Sequence, residues 1–206
     1  MTPNPAYIIH ERALNEKKKF VYLFNRNDGM KSITTATKKV LHYFSPYQTT
    51  QNRQRTTLHA PLSSPLILQG RSLYCGLYLN EVIYKFCYQS DPHPLLYDQY
   101  VITLDAIQSG IPIEAALRLF ELRLFQATGY GIDIVHITEP YIEFNKHQGF
   151  IGKDKPSQQS IPRIKLQDML YDFIPSQEVK LFFRNMIGTL TNNTIQSRRL
   201  YEQNIT

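Results

Sequence analysis

The side chains with the clearest chemical potential in this sequence are the lysines and arginines of its first third. Residues 1–74 hold eleven Lys and Arg against three Asp and Glu, a formal net charge of +8, whereas residues 75–206 carry a net charge of −2. A surface with such an excess attracts polyanions, and each phosphate that it neutralises releases counterions. The distribution predicts a nucleic-acid-binding module at the N-terminal end, with a merely solvated basic face as the alternative.

The candidate DNA-binding cations fall in and around the strands that this module is expected to form. They are Arg12, Lys17, Lys18, Lys19, Arg26, Lys31, Lys38, Lys39, Arg53 and Arg55. Aromatic residues lie among them, and aromatic rings stack on bases at ~1–3 kcal/mol each. These rings are Tyr22, Phe24, Tyr43, Phe44 and Tyr47. Most of them are expected in the core and one or two at the surface.

Two further cations, Arg118 and Arg123, interrupt an otherwise apolar stretch at residues 117–125. A guanidinium beside an apolar groove suits an acidic peptide that ends in an aromatic residue and a carboxylate. Five positions apart, the two arginines point in different directions and need not act together. Pairing of each arginine with Glu114 or Glu121 is the alternative, and the spacing alone does not separate the two interpretations.

Catalytic patterns are absent from the sequence, which has no phosphate-cradling glycine-rich loop, no His-Glu-x-x-His and no Gly-x-Ser-x-Gly. The histidines stand without metal-ligand spacing at His10, His42, His59, His93, His136 and His147. Cys75 and Cys87 lie twelve positions apart in one expected helix, roughly 18 Å and too far for a disulfide or a shared metal. We therefore expect a protein with no active site and no cofactor. An enzyme with an unrecognised site is the alternative.

Strands are expected to position the basic residues. Residues 6–10, 20–24 and 31–35 are β-branched or aromatic runs, and Asn27-Asp28-Gly29 is a hairpin signal because glycine accepts positive φ. A basic all-β module of this size, residues 1–68, suggests an OB-type barrel, whose groove binds oligonucleotides. Propensity alone does not separate it from an SH3-like barrel. An RNA-binding OB protein also remains open.

Helices are expected from residue 70 to 206, which gives an α+β protein with a helical partner-binding module. The clearest helix runs from Pro112 to Thr128, with Gly129 at its left-handed C-terminal cap. Ser176 and Asn193 are expected to cap helices that end near Leu190 and Gln203. Residues 140–163 lack periodicity and predict a loop or a small hairpin around Phe150-Ile151.

Three segments together resemble the RecO family of bacterial recombination mediators. Residues 72–83 contain Gly-Leu-Tyr-Leu-Asn-Glu, residues 116–124 contain Leu-Arg-Leu-Phe-Glu-Leu before Gly129-Tyr-Gly, and residues 197–200 read Ser-Arg-Arg-Leu. The resemblance implies an N-terminal OB-fold, a helical C-terminal domain, binding of single- and double-stranded DNA, strand annealing, and help in loading RecA onto DNA coated with single-strand-binding protein. It implies RecR as a partner. It also implies that Arg118 receives the acidic tail of single-strand-binding protein.

The sequence departs from this family in two places. Many relatives carry a four-cysteine zinc site in the C-terminal domain, whereas here the cysteines lie in the first helix, so zinc is expected to be absent. The basic segment after the third strand is shortened to Thr37-Lys38-Lys39, which shifts the expected DNA contacts toward Lys17–Lys19, Arg53 and Arg55. With no signal peptide and no membrane-length apolar run, a cytoplasmic, nucleoid-associated location is expected.

Overall fold

The computed structural model describes residues 4–52, 55–110 and 112–205. The strands are β1 (Asn4–Ala13), β2 (Lys18–Asn25), β3 (Gly29–Ala36), β4 (Pro46–Asn52), β5 (Arg55–Pro61), β6 (Tyr141–Asn145), β7 (Gly149–Lys153) and β8 (Ile161–Pro162). The helices are α1 (Gly70–Phe86), α2 (Pro94–Ser109), α3 (Ile113–Ala127), α4 (Arg163–Tyr171), α5 (Gln177–Thr191) and α6 (Gln196–Ile205). The predicted α+β class is confirmed.

The first five strands form an antiparallel sheet in the order β3-β2-β1-β4-β5. Its two edge strands, β3 and β5, face each other across a groove of about 450 Å³, so the sheet curls into the partly open barrel that is typical of the OB-fold. The predicted hairpin turn is confirmed: Asn25 pairs with Gly29, whose φ is +68°.

A bulge at Ile9 gives β1 an unusual division between its two faces. Ile8 pairs with Leu23 and the next register pair joins His10 to Tyr22, so Ile9 is the extra residue. A bulge shifts the alternation of side chains by one position. Ile8 therefore packs inside the barrel, whereas both Ile9 and His10 lie on the outer face that meets the helices.

The barrel has a small interior core and shares a larger core with the helices. Ala6, Ile8, Val21, Leu23 and Tyr47 fill the interior. On the outer face, the rings of Tyr7 and Phe24 meet Tyr97 and Tyr100 of α2 edge-on or tilted, with centroids 5.1–6.1 Å apart. Buried Asn80 of α1 joins the two parts, since its amide donates to the carbonyl of Ile8 and its oxygen accepts from the Tyr100 hydroxyl at 2.7 Å. The predicted boundary between residues 68 and 70 stays a prediction, because the two modules share this core.

The β2–β3 turn docks on the loop between α1 and α2. A Cβ added to Gly29 would lie 2.0 Å from the carbonyl oxygen of Asp91, so only glycine permits this approach. Beside it, the backbone N–H of Ser90 donates to the carbonyl of Met30 at 2.9 Å.

The helical part confirms most of the predicted boundaries. Gly129 has φ +83° just after α3, and the Ser176 hydroxyl accepts from the N–H of Val179 at the start of α5. The hairpin β6–β7 contains Phe150 and Ile151 and extends into a three-stranded sheet with β8. The prediction that Asn193 caps the last helix is wrong. α6 begins at Gln196, and Glu81 of α1 accepts from the N–H groups of Gln196 and Ser197 at 2.7 and 2.8 Å.

Candidate nucleic-acid and peptide interfaces

The β1–β2 turn presents two lysines at one end of the barrel. The Asn15 side chain accepts from the backbone N–H groups of Lys17 and Lys18 at 3.0 and 2.9 Å, which fixes the turn and leaves both ammonium groups exposed. Lys38 and Lys39 follow β3 at the same end of the barrel, because Lys18 pairs with Ala36 across the sheet. Both of these lysines are also exposed. The structure therefore brings four of the predicted cations together.

Lys19, between them along the chain, is already engaged. Its ammonium lies 2.5 Å from the Glu11 carboxylate and donates to the carbonyl of Lys39 at 2.9 Å, with 13% of its side chain exposed. An ammonium held in this way is less available to a phosphate than those of Lys17 and Lys18.

Arg26 and Lys31 lie at the opposite end of the barrel and face the helices. Arg26 donates twice to Asp98 of α2, at 2.8 and 2.9 Å, and this hydrogen bond holds the pKa of Asp98 below its usual value. Lys31 donates to the Ser90 hydroxyl at 3.0 Å. These two cations connect the barrel to the helical part, so the structure does not group them with the exposed lysines.

Arg55 and Lys39 line the groove between β3 and β5, whose floor is rich in threonine. A polar groove with a cation on each side matches a nucleic-acid backbone in shape and charge. Arg53, predicted to reach phosphates from this hairpin, lies outside the described residues.

The aromatic residues singled out in the sequence are mostly core. Tyr22, Phe24, Phe44 and Tyr47 are all buried, and burial raises the pKa of half-buried Tyr43 to about 12. Accessible rings occur elsewhere, at Phe20 and Tyr84, both half-buried. Side chains alternate along a strand, so Lys18, Phe20, Tyr22 and Phe24 of β2 share one face. This alternation in the sequence could have shown that Phe20 lies on the same face as a lysine.

A second site is a cavity of about 310 Å³ among α1, α3, α5 and α6. Its cations are Arg71, Arg118, Lys180, Arg184 and Arg198. Its carboxylates are Glu114, Glu121 and Glu202. The apolar parts of its wall include Tyr74, Leu117 and Tyr201. The cationic excess and the aromatic wall fit a small acidic ligand with an apolar group.

The floor of this cavity is a buried polar network. Arg118 donates to Glu121 at 3.0 Å, with side-chain exposures of 7% and 0%, and the Tyr78 hydroxyl donates to the same carboxylate oxygen at 2.5 Å. Burial and the Glu121 carboxylate raise the pKa of Tyr78, so its hydroxyl keeps its proton. Arg198 donates to the Tyr78 oxygen at 2.9 Å and lies over its ring.

Among the described residues, two buried atoms of this network have no hydrogen-bond partner, Nε of Arg118 and Oε2 of Glu121. Unsatisfied buried polar atoms are uncommon and call for an explanation. Because Arg118 also lines the cavity, a small shift of its side chain would turn this buried N–H toward a ligand oxygen. Arg118 therefore pairs with Glu121, as one of the two sequence interpretations predicted. The N–H at Nε of Arg118 remains unpaired in this arrangement.

The rim of the cavity is held by Glu114. One of its oxygens accepts from Arg71 at 2.6 Å and from Lys180 at 3.0 Å. Partial burial raises the pKa of Glu114, but the hydrogen bond from Lys180 and the neighbouring guanidinium groups outweigh it, so the pKa lies below its usual value. Glu114 thus fixes two cations from different helices at the mouth of the cavity.

Arg123 is not part of this site. It is half-buried and donates to the side chain of Gln126 on its own helix at 2.9 Å. The cations that do join Arg118 come from α1, α5 and α6, and sequence reasoning missed them because only tertiary packing brings these helices together. Arg198 had one signal, its place in the Ser-Arg-Arg-Leu segment.

No group of three His, Cys, Asp or Glu side chains within the described residues could hold a metal ion. Cys75 is half-buried and Cys87 buried, both as free thiols, and burial raises the pKa of both, that of Cys87 to about 12. In the same part of the chain, every helix is too short or too polar to cross a membrane.

The chain is similar to a family model and to several curated proteins. The model, described as recombination protein O C terminal, matches residues 68–139. The DNA repair protein RecO of Haemophilus influenzae (strain PittGG) is 28% identical over 97% of this chain and 95% of its own length.

Two other relatives are more similar over a shorter stretch. The DNA repair proteins RecO of Burkholderia pseudomallei (strain 1710b) and Stutzerimonas stutzeri (strain A1501) are 31% and 30% identical, over 63% and 62% of this chain and 52% and 57% of their own lengths. None of these names states a catalytic activity. Together with the α+β fold and the helical segments that carry the family pattern, these similarities support membership of the RecO family.

Proposed function

We propose that this protein acts in DNA repair and recombination as a non-catalytic mediator that binds single- and double-stranded DNA through its barrel. One observation carries the proposal: Lys17, Lys18, Lys38 and Lys39 are exposed together at one end of a barrel whose groove is lined by two cations. Such a surface binds the phosphate backbone, and the relatives are named as DNA repair proteins.

The test is fluorescence anisotropy of a labelled single-stranded oligonucleotide at several salt concentrations. In the Lys17→Ala/Lys18→Ala variant we expect weaker binding and a smaller salt slope, by about 1.4 for two phosphate contacts on a single strand. The matched control is Lys153→Ala/Lys155→Ala, which removes two exposed lysines of the β7 region. Equal losses in both variants would show only an effect of net charge and would contradict the proposal, as would absence of binding at low salt.

The cavity among α1, α3, α5 and α6 supports a second part of the proposal: it receives the acidic C-terminal tail of single-strand-binding protein. The peptide carboxylates meet the rim cations Arg71 and Lys180, the terminal aromatic ring packs on Tyr74 and Leu117, and the terminal carboxylate accepts from Nε of Arg118. The unpartnered Nε of Arg118 supports this orientation.

An acidic peptide that ends in phenylalanine tests this part. We expect Arg71→Ala and Lys180→Ala, which change half-exposed rim residues, to weaken binding several-fold without unfolding the protein. We expect amidation of the peptide C-terminus to weaken it more, because the amide removes the charge that Arg118 receives. Arg123→Ala is the control on α3. If the amidated peptide binds as well as the free acid, Arg118 does not receive the terminal carboxylate.

The mediator activities follow from having both sites in one chain. Binding the tail brings the barrel to strands coated with single-strand-binding protein, where exposed lysines promote annealing and, with RecR, loading of RecA. Strand annealing measured by energy transfer between labelled complementary oligonucleotides tests this step. We expect the rate on coated strands to fall in Lys180→Ala and the rate on bare strands to stay unchanged. No cofactor or metal is needed for these steps.

A further inference from the structure

The outer face of the barrel carries an aromatic strip beside the exposed lysines. It consists of Arg12, Phe20, His10 and Tyr84, called the stacking face below. The guanidinium of Arg12 lies over the Phe20 ring, 5.5 Å from its centroid, and the His10 ring stacks on Tyr84 at 4.2 Å and 30°. His10, Phe20 and Tyr84 are half-buried and Arg12 is exposed, so planar groups remain within reach of a ligand.

The helices cover only part of the aromatic row along β2, and this leaves Phe20 accessible. Phe24, at the far end of β2, lies against Tyr97 and Tyr100 of α2, and Tyr22 meets Tyr84 of α1 edge-on at 4.9 Å. Phe20 comes next on the same face, toward the lysine end of the barrel. Of these three rings only that of Phe20 is not buried.

The bulge at Ile9 assembles the strip. If the same sequence formed a regular strand with no bulge, His10 and Arg12 would share the face of Ile8 and point into the barrel. With it, His10 and Arg12 lie opposite Tyr22 and Phe20 on the outer face. The backbone irregularity therefore turns a guanidinium and an imidazole toward the accessible rings.

The charge around the stacking face is positive. Lys18 lies on the same face of β2, and Lys85 is exposed at the last turn of α1, one residue after Tyr84. The nearest carboxylates are engaged elsewhere: Glu11 pairs with Lys19, and Glu81 accepts from the first N–H groups of α6. Aromatic and guanidinium planes bordered by cations are the combination that binds single-stranded nucleic acid.

We propose that the stacking face is a base-stacking site for single-stranded DNA, with Phe20 and Arg12 holding one base while Lys17 and Lys18 contact the flanking phosphates. This inference rests on the proposed DNA binding and names the rings that the bases use. It also predicts a preference for single strands, since bases in a duplex do not expose their faces.

The chain contains no tryptophan, so a single tryptophan can report stacking directly. In Phe20→Trp we expect saturable quenching of the fluorescence by oligo(dT), because a stacked base quenches the indole. Tyr171→Trp is the control, at a site 62% exposed at the end of α4. Quenching in the control equal to that at position 20, or none at position 20, would overturn the proposal.

Affinity provides the second measurement. We expect Phe20→Leu, which keeps an apolar side chain and hence the fold, to weaken oligo(dT) binding about tenfold while the salt slope stays the same. The wild-type protein should also bind oligo(dT) more tightly than an abasic strand of equal length, and Phe20→Leu should bind the two alike.

The outcomes separate the two levels of the proposal. A wild-type protein that fails to bind oligo(dT) contradicts the proposed DNA function itself. A wild-type protein that binds oligo(dT) and the abasic strand equally, with no effect of Phe20→Leu, leaves DNA binding in place and overturns the stacking face. Tighter binding of oligo(rU) than oligo(dT) would assign the site to RNA and also overturn the proposal.

Discussion

Arg118 and Glu121 form an ion pair that is almost withdrawn from water, with side-chain exposures of 7% and 0%. Removing two charges from water costs several kcal/mol, and the pair regains this only through its mutual attraction and the hydrogen bonds around it. Tyr78 and the carbonyl of Lys180 supply those hydrogen bonds. The pair therefore holds α3 against α1 and α5, in addition to the role proposed for Arg118 in the cavity.

We expect Arg118→Met to lower the free energy of unfolding by about 3–5 kcal/mol, because it leaves the Glu121 carboxylate buried without its counterion. The matched control is Arg123→Met on the same helix, where the half-buried arginine donates to Gln126. Chemical denaturation monitored by circular dichroism measures both. Adding Glu121→Gln to Arg118→Met should recover part of the loss. Equal costs at positions 118 and 123 would rule out a structural role for the pair.

His10 makes stability depend on pH. Burial, and then the positive charge of Arg12, lowers its pKa, with Lys85 acting in the same direction and Glu11 and Glu81 opposing. The folded protein thus binds a proton at His10 less readily than the unfolded chain, whose pKa is about 6.5. Its contribution to stability is complete above that value and is lost as the pH falls from there through the lowered pKa of the folded state.

We therefore expect the free energy of unfolding to fall between pH 7.5 and 5, and His10→Gln to reduce this dependence. Urea denaturation at a series of pH values measures it. Identical pH profiles for the wild-type protein and the variant would mean that His10 does not titrate differently in the two states.

At the scale of elements, the β2–β3 turn is the joint between barrel and helices. Its Gly29 and the turn glycine of the β6–β7 hairpin, Gly149, both have positive φ, +68° and +77°. A Cβ at Gly29 would collide with the Asp91 carbonyl, whereas one at Gly149 would have no atom of the described residues within 4 Å. An alanine at either position would therefore pay the cost of a left-handed backbone conformation, but only the alanine at position 29 would also clash with Asp91.

We expect Gly149→Ala to lower the free energy of unfolding by about 1–2 kcal/mol, the cost of a left-handed non-glycine residue. Gly29→Ala should cost clearly more, because the turn must also move away from Asp91. Thermal unfolding of the two variants under identical conditions provides the comparison. Equal shifts in Tm would show that the turn retreats from the loop without loss.

Sequence reasoning predicted the elements whose signals are local. Alternation and Asn27-Asp28-Gly29 predicted the first hairpin, and Ser176 and Gly129 marked helix ends that the structure confirms. It failed where the partner is distant. Asn193 has a suitable side chain for a cap, but α6 is capped by Glu81, 115 positions before Gln196.

The candidate sites divide in the same way. Charge counting predicted the exposed lysines at 17, 18, 38 and 39, because an uncompensated charge near a turn is usually at the surface. Charge counting could not distinguish Arg26 from these exposed lysines, because the pairing of Arg26 with Asp98 joins the barrel to a distant helix. Phe20 was overlooked because the alternation of side chains along β2 does not show how far α1 extends over that face of the sheet.

At the scale of the whole molecule, α1 connects the two sites. Tyr78 lies in the wall of the cavity and Tyr84 on the stacking face, six residues or about 9 Å apart along the same helix. α1 also packs on β1 and, through Glu81, holds the start of α6. Both surfaces are therefore attached to one rigid element, which keeps their separation constant.

The shared core has a consequence for fragments. The outer face of the barrel contributes Tyr7, Ile9, Phe24 and Phe44 to the helical core, so residues 1–68 alone would expose these side chains to water. We expect this fragment to remain largely unfolded or to aggregate, and the whole chain to unfold in one transition. Circular dichroism and sedimentation of the fragment check this. A monomeric fragment with a cooperative thermal transition would show that the barrel is an independent domain.

The bulge at Ile9 gives β1 one position that it can lose without reversing its faces. Deleting Ile9 would remove the bulge, and regular alternation would then keep Ile8 inside and leave His10, Glu11 and Arg12 opposite Tyr22, Val21 and Phe20. A deletion or insertion elsewhere in the strand would instead turn every later residue to the other face, because side chains alternate with a period of two. Over evolution, loss of the residue at the bulge should therefore be found more often than deletions between His10 and Ala13.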